Sequence, residues 1–442
     1  MSFYTQSLFI AIPIFSVFII LEWCFSKRTG IEINRSADVI SSLSSGMSNI
    51  IKDSLKIGFV IVSYSWLVEH LKIYKLEPIW LAVFFAFLVQ DFTGYWMHRL
   101  NHRVNIFWNR HVIHHSSEEF NLSCALRQSI SETIHFSALL MIPAAILGIP
   151  SHIFSILAPI HLFMQFWYHT RIIGSMGFLE KFIVTPSHHR VHHAINPEYI
   201  DKNYGQILII WDKMFGSFQK ELKNIEPIYG VLRPANTWNP ILINFKHLWQ
   251  LIQDAYRTKY TWDKIRIWFM PTGWRPEDVR VKHPIYTIQN IKEYQKYNTN
   301  ISNSLMIWSY IQLIISIGFI FHFFSIMHQQ KPFLNYFYGF YIMSHIFAYT
   351  SLMDKNKYAI LLEFFKIFFT LLIIYVQNFS WFGLSSLSIY LICFYIIISM
   401  LLTIYFSHEN SLLKRDDKNL GRCTTDSGKY VSWCCISFRK AR

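Results

Sequence analysis

Eight histidines in this chain form three tight clusters, and clustered imidazoles are the raw material of a metal site. His98 and His102 stand four residues apart, His111, His114 and His115 follow, and His189, His192 and His193 repeat the spacing of that second cluster. On a helix, residues three or four apart share a face, so each cluster presents its rings together. Thirteen of the 20 histidines lie between residues 98 and 193. Imidazoles gathered at a membrane surface would repel if protonated and would cost desolvation if buried. A bound metal removes both problems, because neutral imidazole is a favoured ligand for iron, zinc and copper. Eight histidines exceed what one tetrahedral zinc uses and suit two metal ions with open positions. Iron is the natural choice for oxygen chemistry. A lone histidine would read as an ordinary polar group near lipid headgroups; three clusters at matched spacing do not.

The elements that must carry these clusters are membrane helices. Of the 442 residues, 52% are apolar and only 15% charged, against about 25% charged in an average soluble domain. A bilayer crossing takes about 20 apolar residues, and nine stretches approach that length: 7–25, 55–71, 79–97, 134–148, 152–168, 304–324, 334–350, 358–377 and 384–406. The close pair at 134–148 and 152–168 is short enough to form a hairpin. With the N-terminus outside, 36 of the 41 Lys and Arg fall in cytoplasmic segments, as the excess of basic residues in cytoplasmic loops requires. The expected fold is an all-α integral membrane protein, a helical bundle of about nine spans, N-out and C-in, with a histidine-rich di-iron site at the cytoplasmic face. The expected domains are 1–78 (N-terminal spans), 79–300 (catalytic), 301–410 (C-terminal bundle) and 411–442 (basic tail with Cys423, Cys434 and Cys435). Six cysteines with no CxxC pair exclude a disulfide scaffold and a zinc ribbon. The net charge of +14 follows topology and sits in no nucleic-acid-reading motif, so no nucleic-acid partner is expected. A transporter with histidine sites would need ionisable residues inside several spans; here the clusters gather at one face.

The pattern HxxxH, HxxHH, HxxHH at the ends of membrane helices resembles the fatty acid hydroxylase/sterol desaturase superfamily of di-iron oxygenases. Two longer stretches are more specific. Residues 102–128, ending in His114-His115-Ser116-Ser117-Glu118-Glu119-Phe120-Asn121 and Arg127-Gln128, are similar to the alkylglycerol monooxygenase family. So are 185–193, Asp201-Lys202-Asn203-Tyr204-Gly205 and Trp211-Asp212 to Phe215-Gly216. The resemblance is close over about 80–235. It implies two iron ions held by His98, His102, His111, His114, His115, His189, His192 and His193, with His169 as the superfamily's additional ligand. His188 falls outside the HxxHH spacing and is left out, His161 reads as a core histidine, and His135 and His152 read as interfacial. It departs at Arg103, where the family carries an acidic residue.

The activity implied is hydroxylation of the ether-linked carbon of an alkylglycerol lipid, using O2 and tetrahydrobiopterin. The resulting hemiacetal collapses to a fatty aldehyde and a glycerol derivative. Asp91, Tyr95 and Asn121 are the expected catalytic and orienting residues, Asp91 and Tyr95 by holding His98. Glu118, Arg127 and Gln128 are the expected cofactor-binding residues. The partners are the membrane, a lipid and O2, with a pterin-recycling or electron-donor protein as a further one. The location is a bacterial inner membrane or the endoplasmic reticulum. The alternative is a fatty acyl or sterol hydroxylase or desaturase fed by a redox protein.

Overall fold

The computed structural model describes residues 3–384 and 386–423, with side chains over 7–384 and 387–409. The side chains of the expected tail, 411–442, lie outside the described residues. The fold is helical throughout, save one parallel pair of two-residue strands, β1 (Phe59–Val60) and β2 (Ile134–His135), among the described residues. Two compact units divide the chain, Met1–Asp354 and Lys355–Arg442.

Among the described residues, five helices are long and apolar enough to cross a membrane. Three belong to the first unit: α1 (Phe3–Thr29), the long helix Ile79–Arg103, and Asn303–Ile326. Two form the second: Ala359–Val376 and Ser386–Cys423. Helix α1 is mostly apolar, save a buried Glu22 that accepts from Leu122 N and Thr170, and carries Lys27 and Arg28 in its last turn, basic residues suited to a helix C-terminus. The helix Pro332–Met353 covers another expected span, but Asn335, His345 and its tyrosines make it more polar than the five.

Two expected spans are not single helices. In 55–71 the chain leaves helix α2 (Ser36–Ser54), passes Lys56 at φ +54°, pairs as β1, and only then enters α3 (Tyr64–Leu71). Gly58 and the β-branched run Val60-Ile61-Val62 favour extended chain. Ser63 starts α3 by accepting from Trp66 N. Eight residues rise about 12 Å, too little for a bilayer. In 134–148, β2 leads into a 3-10 turn and a five-residue helix that Pro143 opens and Gly148 ends.

The site is framed by α4 (Ile79–Arg103), the short α5 (Val112–His115), α6 (Ser151–Phe166) and α7 (Pro186–His193). Helix α2 closes one side. Its serines let it pack tightly, and at Gly46 an added Cβ would come 2.9 Å from the Leu126 carbonyl oxygen. That close approach holds the loop after α5 in place. Helix α8 (Pro240–Arg257) is amphipathic and is capped by Asn239, which accepts from Ile241 N and Leu242 N. It packs on α2 and α5 and forms a wall of the cavity described below.

Candidate metal centre

The last two turns of α4 bring His98 and His102 to one face. Helix α5 and the residue before it supply His111, His114 and His115, the chain just after α6 supplies His169, and α7 supplies His189, His192 and His193. Pro186 opens α7, where a missing N–H costs nothing. The nine expected histidines converge. They form two sets, His98, His102, His111, His115 and His192 in one, and His114, His169, His189 and His193 in the other. Within each set one ring nitrogen per residue lies within 4.8 Å of all the others.

The ring nitrogens themselves ask for a cation. His98 Nδ1 meets the Tyr204 carbonyl at 2.8 Å and His192 Nδ1 the Lys202 carbonyl at 2.9 Å. His114 Nδ1 meets the Arg127 carbonyl at 3.2 Å and His169 Nδ1 the Gln165 carbonyl at 2.9 Å. A carbonyl only accepts, so each of these Nδ1 atoms carries the proton and each Nε2 is a bare lone pair. Yet His114 Nε2 and His169 Nε2 face each other at 3.3 Å, two acceptors with no proton between them. His98 and His111 Nε2 stand 2.9 Å apart, and His102 and His115 Nε2 3.1 Å. His169 and His189 Nε2 are 2.8 Å apart. Ligands about 2.1 Å from a shared metal and at right angles to one another stand about 3 Å apart. The buried His192 Nε2 and His189 Nδ1 have no hydrogen-bond partner at all. Burial, then the neighbouring imidazoles, push His111, His115, His189, His192 and His193 well below the usual imidazole pKa. Burial holds His114 at about 4. These rings are therefore neutral at pH 7, the form in which imidazole binds metal. The donor set and its spacing fit two metal ions, and iron suits an all-imidazole oxygen-activating site.

The two sets have different surroundings. Phe120 packs against His169, His189 and His193, with Tyr229 stacked behind it at 5.1 Å. Tyr168 closes the far side against His189 at 4.3 Å. Only His193 of that set reaches a cavity, of about 420 Å³, which His102, His115 and His192 also line. Trp108, Val112, Ile195, Val231 and Ile243 give that cavity apolar walls.

The remaining expected residues stand elsewhere. Asp91 does not hold His98: its buried carboxylate accepts from His161 Nε2, from Ile207 and Leu208 N, and from Trp211 Nε1. Tyr95 bonds Ser217 Oγ and Arg99, again away from His98. The Tyr204 carbonyl orients His98 instead. Asn121 brackets its own loop, with Oδ1 accepting from Ser123 and Cys124 N and Nδ2 donating to the Ile33 carbonyl. Arg127 is buried in an ion pair with Asp38 at 2.7 Å and donates to Ser42 and Ser116. Glu118 accepts from Tyr294 and Tyr297 N, and Glu119 pairs with Lys296 at 2.6 Å. Gln128 donates to the Ala125 carbonyl. None of the three expected cofactor residues, Glu118, Arg127 and Gln128, lines the cavity. His188 lies outside both sets, and its ring packs on Phe218. The orienting groups missed by sequence reasoning are backbone carbonyls, which carry no side-chain signal.

A helical membrane protein with two converging sets of histidines at its core is of the histidine-cluster hydroxylase class. The family model described as fatty acid hydroxylase matches residues 83–217, the stretch holding all nine. The chain is 35% identical to human alkylglycerol monooxygenase over 312 residues, 70% of this chain and 69% of that protein. It is 32% identical to the Xenopus tropicalis alkylglycerol monooxygenase over 369 residues, covering 83% of this chain and 81% of that one. An ornithine lipid hydroxylase of Rhizobium tropici is 30% identical over 141 residues, 32% of this chain and 43% of that protein. No solved structure matches. The chain belongs to the alkylglycerol monooxygenase family and is an oxidoreductase.

Proposed function

We propose that this protein hydroxylates the ether-linked carbon of an alkylglycerol lipid. One oxygen atom of O2 enters the C–H bond and the other leaves as water, with two electrons from a reductant and two protons. The hemiacetal so formed collapses to a fatty aldehyde and a glycerol derivative. The observation that carries this reading is the meeting of facing, unprotonated imidazole nitrogens with an apolar cavity, in a chain of this family.

Two iron ions, when bound by the nine histidines, supply the activation of O2. The chain supplies the rest. Trp108, Val112, Ile195, Val231 and Ile243 bind alkyl chain at about 0.8 kcal/mol per CH2 and exclude water. His102, His115, His192 and His193 meet the cavity, so the reacting carbon is presented on their side. The carbonyls of Tyr204, Arg127, Gln165 and Lys202 fix which nitrogen of each ring is free for metal. Tetrahydrobiopterin is the proposed electron source on the family relationship alone. Glu118, Arg127 and Gln128 do not fit as its cradle, because internal bonds occupy them.

The test is aldehyde formation by membranes carrying the full chain, given a 1-O-alkylglycerol and O2, with and without tetrahydrobiopterin. The expected result is pterin-dependent aldehyde that His192→Ala abolishes. Iron-loaded protein that makes no aldehyde but oxidises a fatty acyl chain or sterol would replace the ether-lipid reading with the acyl or sterol hydroxylase one.

A further inference from the structure

The cavity beside the histidines has a charged rim that the apolar-chain reading does not use. Asp201 is the sole acidic side chain lining it among the described residues, and Arg103 pairs with that carboxylate at 2.6 Å. Arg233 and Lys246 also line it. Arg233 donates Nη2 to the Gly273 carbonyl, and Lys246 donates Nζ to the carbonyls of Pro234 and Ala235. Among the described residues neither forms an ion pair with a carboxylate. Asp254, the acid whose field reaches Arg233, is held bidentately by Arg275 at 2.6 and 2.9 Å. Burial weakens the charged form of both cations, and Arg275 adds repulsion at Arg233. Half-buried Arg233, set over apolar walls with no counter-ion, is costly to hold charged unless an anion completes it, and exposed Lys246 adds a second positive charge to the same lining.

We propose that Arg233 and Lys246 form the headgroup site of this cavity and take a phosphate carried by a single-chain amphiphile. This rests on the lipid-oxygenase reading above and narrows its substrate to an ether lipid with an anionic head. The physical gain is regiochemical. An apolar slot binds every CH2 alike and cannot choose a depth. A phosphate fixed at the rim sets how far the stem enters, so the carbon nearest the head meets the histidine side. Arginine suits the role, since its planar fork matches phosphate oxygens.

The test separates binding from turnover. Metal-loaded full-length protein is titrated with hexadecyl phosphate, hexadecanol and inorganic phosphate, following thermal stability in detergent. Turnover is measured with 1-O-hexadecylglycerol and its 3-phosphate. Hexadecyl phosphate is expected to bind at least about tenfold tighter than either other probe, as one charge-assisted contact implies. The preference for the phosphorylated substrate, as a ratio of KM values, is expected to fall about tenfold in Arg233→Gln. Lys246→Gln gives the same readout from an exposed helical position where misfolding is not a concern. Equal binding of hexadecanol, or variants that keep the ratio, overturns the proposal. Inorganic phosphate binding as tightly as hexadecyl phosphate assigns the rim to a free anion and overturns it too. Aldehyde from neither substrate, with hexadecyl phosphate still preferred, rejects the ether-lipid reading and leaves the anion site standing.

Discussion

The two histidine sets are made of the same residue and differ in what surrounds them. His98, His102, His111, His115 and His192 border the cavity through three of their members. His114, His169, His189 and His193 are packed under Phe120, Tyr168 and Tyr229, and touch the cavity through His193 alone. One set has open space where a substrate can arrive; the other is walled by aromatic rings. The difference teaches that coordination and access are separate properties. Ligand number comes from the clusters, whereas the direction of reaction comes from which side the walls leave open.

That contrast can be broken experimentally, and the heaviest blow is to a ligand. His192→Ala, on the open side, is expected to reduce aldehyde formation to background. His169→Ala, on the walled side, is expected to abolish it equally while removing one metal and leaving the other, as metal analysis of the purified protein would read. Loss of both metals in each variant would mean the sets act as one site. The next effect is on the frame. Arg127→Ala strands the buried Asp38 carboxylate, and removing one partner of such a pair costs about 3–5 kcal/mol, visible as a lower melting temperature in detergent. A smaller effect belongs to the walls. Val112→Phe narrows the cavity without replacing a ligand, and should raise KM for long-chain substrate about tenfold while metal content holds. The smallest is expected at Gln128→Ala, whose side chain makes one bond to its own loop. A loss under about 1 kcal/mol of stability and an unaltered pterin dependence should follow; a lost pterin response would return Gln128 to the cofactor site.

The histidines were legible because their chemistry is local: HxxxH and HxxHH state both ligand type and helical face. His169 needed the family resemblance, since nothing in its own surroundings distinguishes it from an interfacial histidine. The roles expected for Asp91 and Tyr95 failed for a geometric reason. One or two helical turns before His98 places them along α4, but a backbone carbonyl from 106 residues away, that of Tyr204, reaches the ring first. Arg127 and Glu118 read as cofactor-binding groups because they stand in the polar stretch that carries the family resemblance. Only folding supplies Asp38, Tyr294 and Tyr297 as their partners. The stretch 55–71 was apolar enough to read as a span. Hydropathy measures transfer to lipid and is silent on whether Gly58 and a β-branched run continue a helix.

Composition and spacing by themselves determined that this protein is helical, apolar enough for a membrane, and built around clustered imidazoles. Those properties live in single residues and short repeats, where side-chain chemistry and helical period act without help from the rest of the chain. The tertiary structure alone decided which nitrogen of each ring is free, which histidines gather into each set, and where the cavity opens. Those depend on carbonyls, aromatic walls and unpaired cations that come from distant segments, and distance along the chain carries no signal of nearness in space.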